Sequence, residues 1–217
     1  MTSSLRPGRL VGILFALTFI TGIAAVIFYG DDPRAASDTR LGLGAVLELL
    51  LIAANLGTAL ALLPLVRKQQ ALAFSYVAAR VIECTFIAIG LLSLLTLTKT
   101  SDAGVAGALV EIKNWTFLLG PNLVVGIGNG LILGTLLYRA GLVPRGMALV
   151  GIIGGPLLTL AAAGVIVGVF DELPKVAALP EIVWEGYLAT YVAIKGFKLT
   201  TAGARDRAPL VQTAVAV

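Results

Sequence analysis

Long apolar runs, each about as long as a bilayer is thick, alternate with short charged or turn-rich segments along this chain. A helix needs about 20 consecutive apolar residues to cross the hydrocarbon core, and it satisfies its own backbone hydrogen bonds there. The breaks are Asp31-Asp32-Pro33, Arg67 to Gln70, Lys99 to Lys113, Arg139 to Arg145 and Asp171 to Pro174. The pattern predicts helices near Leu10 to Tyr29, Gly42 to Val66, Ala71 to Thr96, Trp115 to Tyr138, Met147 to Phe170 and Ile182 to Phe197.

The amino-acid composition identifies the fold class. Hydrophobic residues make up 58% of the 217 residues and charged residues only 13%, whereas about a quarter of an average soluble protein is charged. A soluble globular protein is therefore excluded. We predict an all-α membrane protein with one domain, a bundle of six transmembrane helices over residues 1–198, and a short cytoplasmic tail over residues 199–217.

The distribution of charge predicts the orientation of the bundle. Cytoplasmic loops of membrane proteins carry an excess of Lys and Arg. Here one side has Arg6, Arg9, Arg67, Lys68, Arg139, Arg145, Lys195, Lys198, Arg205 and Arg207, and the other has Arg34, Arg40, Lys99, Lys113 and Lys175. The acidic residues predicted on that other, outer side are Asp31, Asp32, Asp38, Asp102, Glu111, Asp171, Glu172 and Glu181. Both termini are therefore predicted to be cytoplasmic.

The first apolar run has an alternative interpretation as a secretory signal peptide. Arg6 and Arg9 precede it, and the small residues Ala35-Ala36-Ser37 follow. Its apolar core is longer than that of a signal peptide, so we expect a helix that stays in the bundle. Cleavage would instead leave five spans and an N-terminus outside.

Several kinds of chemistry are excluded by the residues that are absent. The chain has no histidine, which removes imidazole metal ligands and histidine acid–base catalysis. The single cysteine, Cys84, cannot form an intramolecular disulfide and is predicted to be a small packing residue. No cofactor or metal is expected. The net charge of +4 lies at membrane edges, so nucleic acid is not an expected partner.

Charged residues inside the apolar runs are the main functional signal. An ionised Arg, Lys or Asp at the centre of a membrane helix costs roughly 2.5 to 3.5 kcal/mol on insertion scales, so it needs internal partners or water. On the third predicted helix Tyr76, Arg80 and Glu83 follow an i, i+4, i+7 spacing and share one face. We therefore expect Arg80 to pair with Glu83.

Polar residues on three other helices fall at overlapping depths in the outer half of the bundle. Because one Arg cannot neutralise three glutamates, we expect at least one Glu to be protonated or to face water. A purely structural arrangement is the alternative, with Arg80 paired to Glu83 and the other acids bonded separately. The predicted cluster, a cavity open to the outer side, comprises Glu48, Asn55, Tyr76, Arg80, Glu83, Asn122, Glu185 and Tyr187.

Glycines repeat at intervals of four on the fourth and fifth predicted helices. Small residues at this spacing allow two helix backbones to approach closely in lipid. Gly126, Gly130 and Gly134 lie on one helix, and Gly151 and Gly155 on the next. The Gly126 to Gly130 segment does not follow a strand, so a nucleotide-binding loop is not predicted. Pro121 and Pro156 are expected to kink these helices, and Trp115 and Trp184 are interpreted as interfacial residues.

Three segments together resemble the bacterial domain of unknown function 4386 family. They are Arg80-x-x-Glu83, Trp115-Thr116-Phe117-Leu118-Leu119-Gly120-Pro121, and Leu137-Tyr138-Arg139-Ala140-Gly141-Leu142-Val143-Pro144-Arg145. The resemblance runs from about Gly8 to Lys198. It implies a six-helix protein of the bacterial inner membrane without supplying an activity. Family members often have His-Asp before the aromatic residue of the fourth helix, where this chain has Lys113-Asn114, which argues against acid–base chemistry there.

Three classes of function remain open. The first is an intramembrane binding or transport-like protein for a small polar, cationic or lipid ligand. The second is a non-catalytic accessory or stress-linked protein whose polar cluster fixes the helix register. The third is an intramembrane enzyme in which Glu83 or Glu185 is the acid–base and Arg80 holds an anionic group. Membrane lipids and a second copy of the chain are the other expected partners.

Overall fold

The computed structural model describes residues 7–197, which are almost entirely helical and contain no strand. Short 3₁₀ turns precede the second and third helices, at Pro33–Ala35 and at Leu63–Leu65 and Arg67–Gln69. The predicted tail, residues 199–217, lies outside the described residues. The long helices are α1 (Pro7–Tyr29), α2 (Asp38–Leu62), α3 (Gln70–Leu97), α4 (Ala103–Ala140), α5 (Arg145–Ile166) and α6 (Lys175–Lys195).

The first five helices, α1 to α5, are long and apolar enough to cross a membrane. Helix α6 has 21 residues, but Glu181 and Glu185 lower its hydropathy and it does not reach that standard. Large apolar side chains such as Ile20, Leu60 and Leu160 are exposed on the outside of the bundle, as expected where lipid is the solvent. The prediction of an all-helical, multi-pass membrane protein is confirmed at this level.

Two helices begin earlier than the hydropathy pattern predicts. Helix α4 starts at Ala103 rather than at Trp115, because the side chain of Asp102 accepts a hydrogen bond from the Val105 backbone N–H (2.9 Å) and caps the first turn. Most of the polar stretch predicted as a loop is therefore helical. Helix α6 starts at Lys175 rather than at Ile182, and Pro180 lies within it.

The two described ends of the chain lie side by side. An ideal Cβ on Gly8, in the first turns of α1, would lie 3.0 Å from the backbone nitrogen of Phe197, and Gly12 lies against the backbone at Val192 and Ala193. Consecutive helices are joined by short links, so neighbouring helices run in opposite directions. One end of the bundle therefore carries both described ends, and the opposite end carries links 30–37, 98–102 and 167–174.

The buried apolar residues form two clusters at opposite ends of the bundle. The larger lies at the end with the chain termini and includes Phe15, Leu136 and Leu188. The smaller lies near the other end and comprises Ala25, Tyr29, Leu41, Leu94 and Leu97. The polar residues inside the bundle occupy the level between them.

Helices α4 and α5 pack through glycines, as the spacing predicts. Gly126 and Gly130 of α4 lie directly against Gly155 of α5, so a Cβ on any of the three would meet the backbone of the partner helix. We call these three residues the glycine seam. On its other side α5 packs on α6, where Gly151 leaves room for the indole ring of Trp184. Trp184 is fully buried, so its predicted interfacial position is wrong, whereas Trp115 is exposed.

The middle of α4 is wound as a π-helix over Leu118–Val124 and again over Gly126–Leu133. Pro121 lies in the first of these segments and has no backbone N–H to give to the carbonyl of Phe117. The side chain of Asn122 donates to that carbonyl instead, at 2.9 Å. The wider winding therefore carries the proline while this backbone acceptor stays satisfied.

Candidate functional site

A cavity of about 400 Å³ lies inside the bundle, between α1, α2, α3, α4 and α6. It occupies the half of the bundle that ends in the α1–α2, α3–α4 and α5–α6 links. Most of its lining is apolar and includes Phe19, Ile23, Leu51, Ile87, Phe117 and Val125. The charged and amide side chains that line it are Glu48, Asn55, Arg80, Glu83, Lys113 and Glu185.

Four residues of α2 and α3 form a buried hydrogen-bonded set, which we call the Arg80 group: Asn55, Tyr76, Arg80 and Glu83. Arg80 donates from Nε to the Tyr76 hydroxyl (3.0 Å) and from Nη1 to Glu83 Oε2 (2.6 Å). Asn55 donates to the other carboxylate oxygen of Glu83, at 3.0 Å. Both oxygens of Glu83 are therefore occupied, and the Arg80–Glu83 pairing that the spacing predicts is confirmed.

A second ion pair joins α2 and α4, between Glu48 and Lys113. The Lys113 side chain crosses α3 at Gly90, where an ideal Cβ would lie 3.1 Å from Lys113 Cδ, so a larger residue would obstruct it. Only Oε1 of Glu48 is used. Its Oε2 atom is buried and has no hydrogen-bond partner in the described part of the chain, and the hydroxyl of Tyr29, which interacts with Glu48, is likewise buried without a partner there.

The third carboxylate of the cavity, Glu185 on α6, accepts a hydrogen bond from the Asn129 side-chain amide of α4. Trp184 donates its indole N–H to the backbone carbonyl of the same Asn129, at 2.9 Å. These two bonds hold α6 against the π-helical part of α4. Neither bond supplies Glu185 with a positive charge.

Glu181, one helical turn before Glu185, is the most buried acid in the described chain. It is only 2% exposed, and neither of its carboxylate oxygens has a hydrogen-bond partner there. It lies where α4, α5 and α6 meet, so close to Gly130 that an ideal Cβ on that glycine would be 2.7 Å from Oε2. The prediction that Glu181 belongs to the outer polar segment is wrong, because α6 begins before it and buries it.

Five of the eight predicted site residues line the cavity, and three do not. Tyr76 lies behind Arg80 and bonds to it. Asn122 serves the π-helix by its bond to Phe117, and Tyr187 stacks on Tyr191 with ring centroids 4.9 Å apart. The cavity residues brought together are Glu48, Asn55, Arg80, Glu83 and Glu185. Whether they bind a ligand stays a prediction.

The predicted site omits two charged residues, Lys113 and Glu181. The polar residues from Lys99 onward indicate a break between helices, so the sequence places Lys113 in a loop. The burial of Glu181 beside Glu185 could have been predicted, since the two residues are four apart and so share one helix face. With Lys113 included, the cavity lining contains two cationic and three acidic side chains.

An exposed ion pair lies in the α1–α2 link, at the same end of the bundle as the cavity. Arg34 donates from Nε to one oxygen of Asp32 (2.9 Å) and from Nη2 to the other (3.0 Å). The side-chain hydrogen bonds from Arg34, and then the one from its backbone N–H, hold the pKa of Asp32 below its usual range. Both side chains are exposed to water, so this pair differs from the buried ion pairs of the cavity.

Comparison with known proteins places the chain in a family without supplying a reaction. A family model described as a domain of unknown function, DUF4386, matches residues 10–196. No curated protein and no solved structure matches the chain. The matched region includes all five helices that are apolar enough to cross a membrane and every residue of the polar cavity. The chain therefore belongs to the domain of unknown function 4386 family.

Proposed function

We propose that this protein is an intramembrane binding protein whose cavity takes a small amphipathic ligand with a cationic group, and that it can move such a ligand. The observation that carries the proposal is the carboxylate of Glu185, which lines the cavity and is bonded only to the uncharged amide of Asn129. Burying a charge without a partner of opposite charge is costly, so native proteins seldom retain one without a ligand or water to satisfy it. A positively charged ligand in the cavity would remove that cost.

The charge of the cavity favours a cation over an anion. Arg80 is neutralised by Glu83 and Lys113 by Glu48, which leaves the carboxylate of Glu185 with only an amide partner. An ionised carboxylate at this depth is stabilised by a positive group nearby. A ligand ammonium group at Glu185 would supply both a positive charge and a hydrogen-bond donor.

The remaining lining favours a ligand with an apolar part. Side chains such as Phe19, Leu51 and Ile87 surround the acids, and the volume of about 400 Å³ lies within the range of about 300 to 1,000 Å³ for small-molecule sites. Small alkylammonium ions and the ammonium head groups of lipids share this chemistry. We therefore infer an organic ammonium group as the feature that the cavity recognises.

The same proposal includes the topology of six spans in the bacterial inner membrane, with both termini cytoplasmic. Support comes from the adjacent described ends, since Gly8 lies beside Phe197, and from the excess of Lys and Arg predicted on that side. In this orientation the cavity lies in the outer half of the bundle. Single cysteines at the exposed positions 35 and 70 in a Cys84→Ala background test it: an impermeant maleimide should label intact cells at position 35 only, and labelling at position 70 would contradict this orientation.

Ligand binding is tested by thermal unfolding of the purified protein in detergent. Octylammonium should raise the melting temperature, whereas octanol and octanoate at the same concentrations should not, because they lack the positive charge. Glu185→Gln and Glu48→Gln should each abolish the octylammonium shift. Glu111→Gln is the matched control, since Glu111 is exposed on α4 and does not line the cavity. Equal shifts with octylammonium and octanol, or an unchanged shift in Glu185→Gln, would reject the proposal.

A structural role is the second candidate, and the saturation of the Arg80 group favours it for that part of the site. Both oxygens of Glu83 and two nitrogens of Arg80 are already bonded, so these residues hold α2 to α3 without any ligand. If Arg80→Ala and Glu83→Ala unfold the bundle and no ammonium compound changes the melting temperature, the protein is a non-catalytic structural or accessory factor instead.

A further inference from the structure

Glu181 lies outside the cavity lining and has an environment unlike that of any other acid in the described chain. The carboxyl group lies against the backbone of Gly130 on α4, where an ideal Cβ would be 2.7 Å from Oε2, and the backbone of Glu181 lies against Gly154 on α5. No hydrogen bond to either carboxyl oxygen is present among residues 7–197. Sequence, fold and family give this residue no role.

The charged groups that face Glu181 leave it without a counter-ion. Arg80 on α3 acts on it from a distance but is bonded to Glu83, and both Glu185 and Glu83 add negative charge. Helix α4 lies against Glu181 through Gly130 and helix α5 through Gly154, and neither glycine carries a charge. A buried carboxylate without a partner is far less stable than the neutral acid, so such a group binds a proton.

We propose that Glu181 is a proton-binding site, and that the proton is released when a cation binds beside Glu185. The tight packing explains why the occupant is a proton. Both carboxyl oxygens are buried, and Oε2 lies 2.7 Å from where a Cβ on Gly130 would be, so no space remains there for an ammonium group or a hydrated metal ion. A proton adds the missing positive charge without adding volume.

The coupling to the cavity rests on the proposed function and follows from the spacing of the two acids. Glu181 and Glu185 lie one turn apart on α6, so a cation at Glu185 lowers the energy of a negative charge at Glu181. The neutral carboxyl of Glu181 then loses its proton, which is released to the solvent, and becomes a carboxylate as the cation enters. One positive charge replaces another, and by linkage the added proton weakens cation binding to the same extent.

The first experiment detects the proton itself and needs no ligand. The infrared spectrum of the purified protein at neutral pH should contain a C=O stretching band of a protonated carboxyl that is absent from Glu181→Gln and retained in Glu111→Gln. Identical carboxyl bands in wild type and Glu181→Gln would overturn the proton site. If the Gln variant fails to fold, Glu181→Asp replaces it, and the band should shift instead of disappearing.

The second experiment measures release in weakly buffered detergent solution with a pH-indicator dye. Octylammonium should release a proton for each ligand bound to wild type, and Glu181→Gln should bind octylammonium without releasing one. Release that is unchanged in Glu181→Gln would overturn the coupling. If octylammonium does not bind wild type at all, the proposed function and the coupling fail together, while the infrared band still decides whether Glu181 holds a proton.

Discussion

The Arg80 group and the two acids Glu48 and Glu181 show two different uses of charge inside one bundle. Within the group, Glu83 receives bonds from Arg80 and Asn55 on its two oxygens. By contrast, Glu48 keeps one buried oxygen unbonded, and Glu181 keeps two. A saturated network rigidifies a fold, whereas unsaturated groups retain the capacity to bind something else. The difference separates the polar residues that hold the helices from those that are available for function.

Removing one charged member of the Arg80 group should have the largest effect on the free energy of unfolding. Arg80→Ala leaves the buried carboxylate of Glu83 without its charge partner, and Glu83→Ala leaves the guanidinium of Arg80 likewise. Each should lower the free energy of unfolding by about 3–5 kcal/mol, measured by denaturant unfolding in detergent. The double variant Arg80→Met/Glu83→Met removes both charges and should cost less than either single variant. A single variant as stable as wild type would show that this group does not hold the helices.

The glycine seam gives the next largest effect and contains no charge at all. Gly155→Ala places a methyl group against the backbone of Gly126 and Gly130, and such overpacking should destabilise by about 1–3 kcal/mol. Gly146→Ala is the matched control on the same helix, because nothing lies within 4 Å of its Cβ position. The control should be neutral or stabilising by up to about 1 kcal/mol. Equal effects at the two positions would show that α4 and α5 do not pack closely.

Asn55 sharpens the comparison, since it is the uncharged residue of the Arg80 group that bonds to Glu83. Asn55→Ala removes one donor from Glu83 but leaves its bond from Arg80. Hydrogen bonds between membrane helices contribute about 0.6 kcal/mol on average and at most about 1.7, so the loss should be well below that for Arg80→Ala. A loss as large as that of Arg80→Ala would mean that the amide, and not the ion pair, dominates the group.

The exposed Arg34–Asp32 pair should give the smallest effect. Because the folded-state pKa of Asp32 is lowered, its contribution is present above the ordinary value of 3.8 and is lost as the pH falls through the folded pKa. Water screens the pair, so Asp32→Asn should leave the melting temperature at neutral pH unchanged. A melting temperature that drops in Asp32→Asn as far as in Asn55→Ala would remove the distinction between exposed and buried charge.

The helices were predictable because hydropathy reflects the lipid environment directly. The predicted limits of α1 and α3 agree closely with the observed ones, since charged or turn residues flank their apolar runs. Helices α4 and α6 begin earlier than predicted because their first turns are polar and are fixed by local bonding, as at Asp102, or by packing of Pro180 on Gly154. A hydropathy value averaged over many residues reflects neither the capping bond nor the packing contact.

The site was predictable only where both partners lie on one helix. The spacing of Arg80 and Glu83 is sufficient to pair them, because i and i+3 side chains are neighbours on any helix. The pair between Glu48 and Lys113 joins residues on α2 and α4, and nothing local to either residue identifies the other. Tyr187 is polar and close to Glu185 in the sequence, which favours a place in the predicted site, but its ring stacks on Tyr191 instead. The sequence does not show how far each helix is rotated about its own axis relative to its neighbours, and this rotation decides which side chains face the cavity.

The π-helical winding of α4 also constrains how this protein can change during evolution. A π-turn accommodates one more residue than an α-turn, so deleting one residue from Leu118–Val124 would restore ordinary winding and keep the rest of the helix in register. A deletion in the α-helical turns before it has no extra residue to remove, so everything beyond that deletion would turn by roughly 100° about the helix axis. Asn129 would then leave Glu185 and Gly130 would leave Gly155, breaking contacts on two neighbours at once. The π-helical segment should therefore tolerate the loss of a residue better than the α-helical turns that precede it.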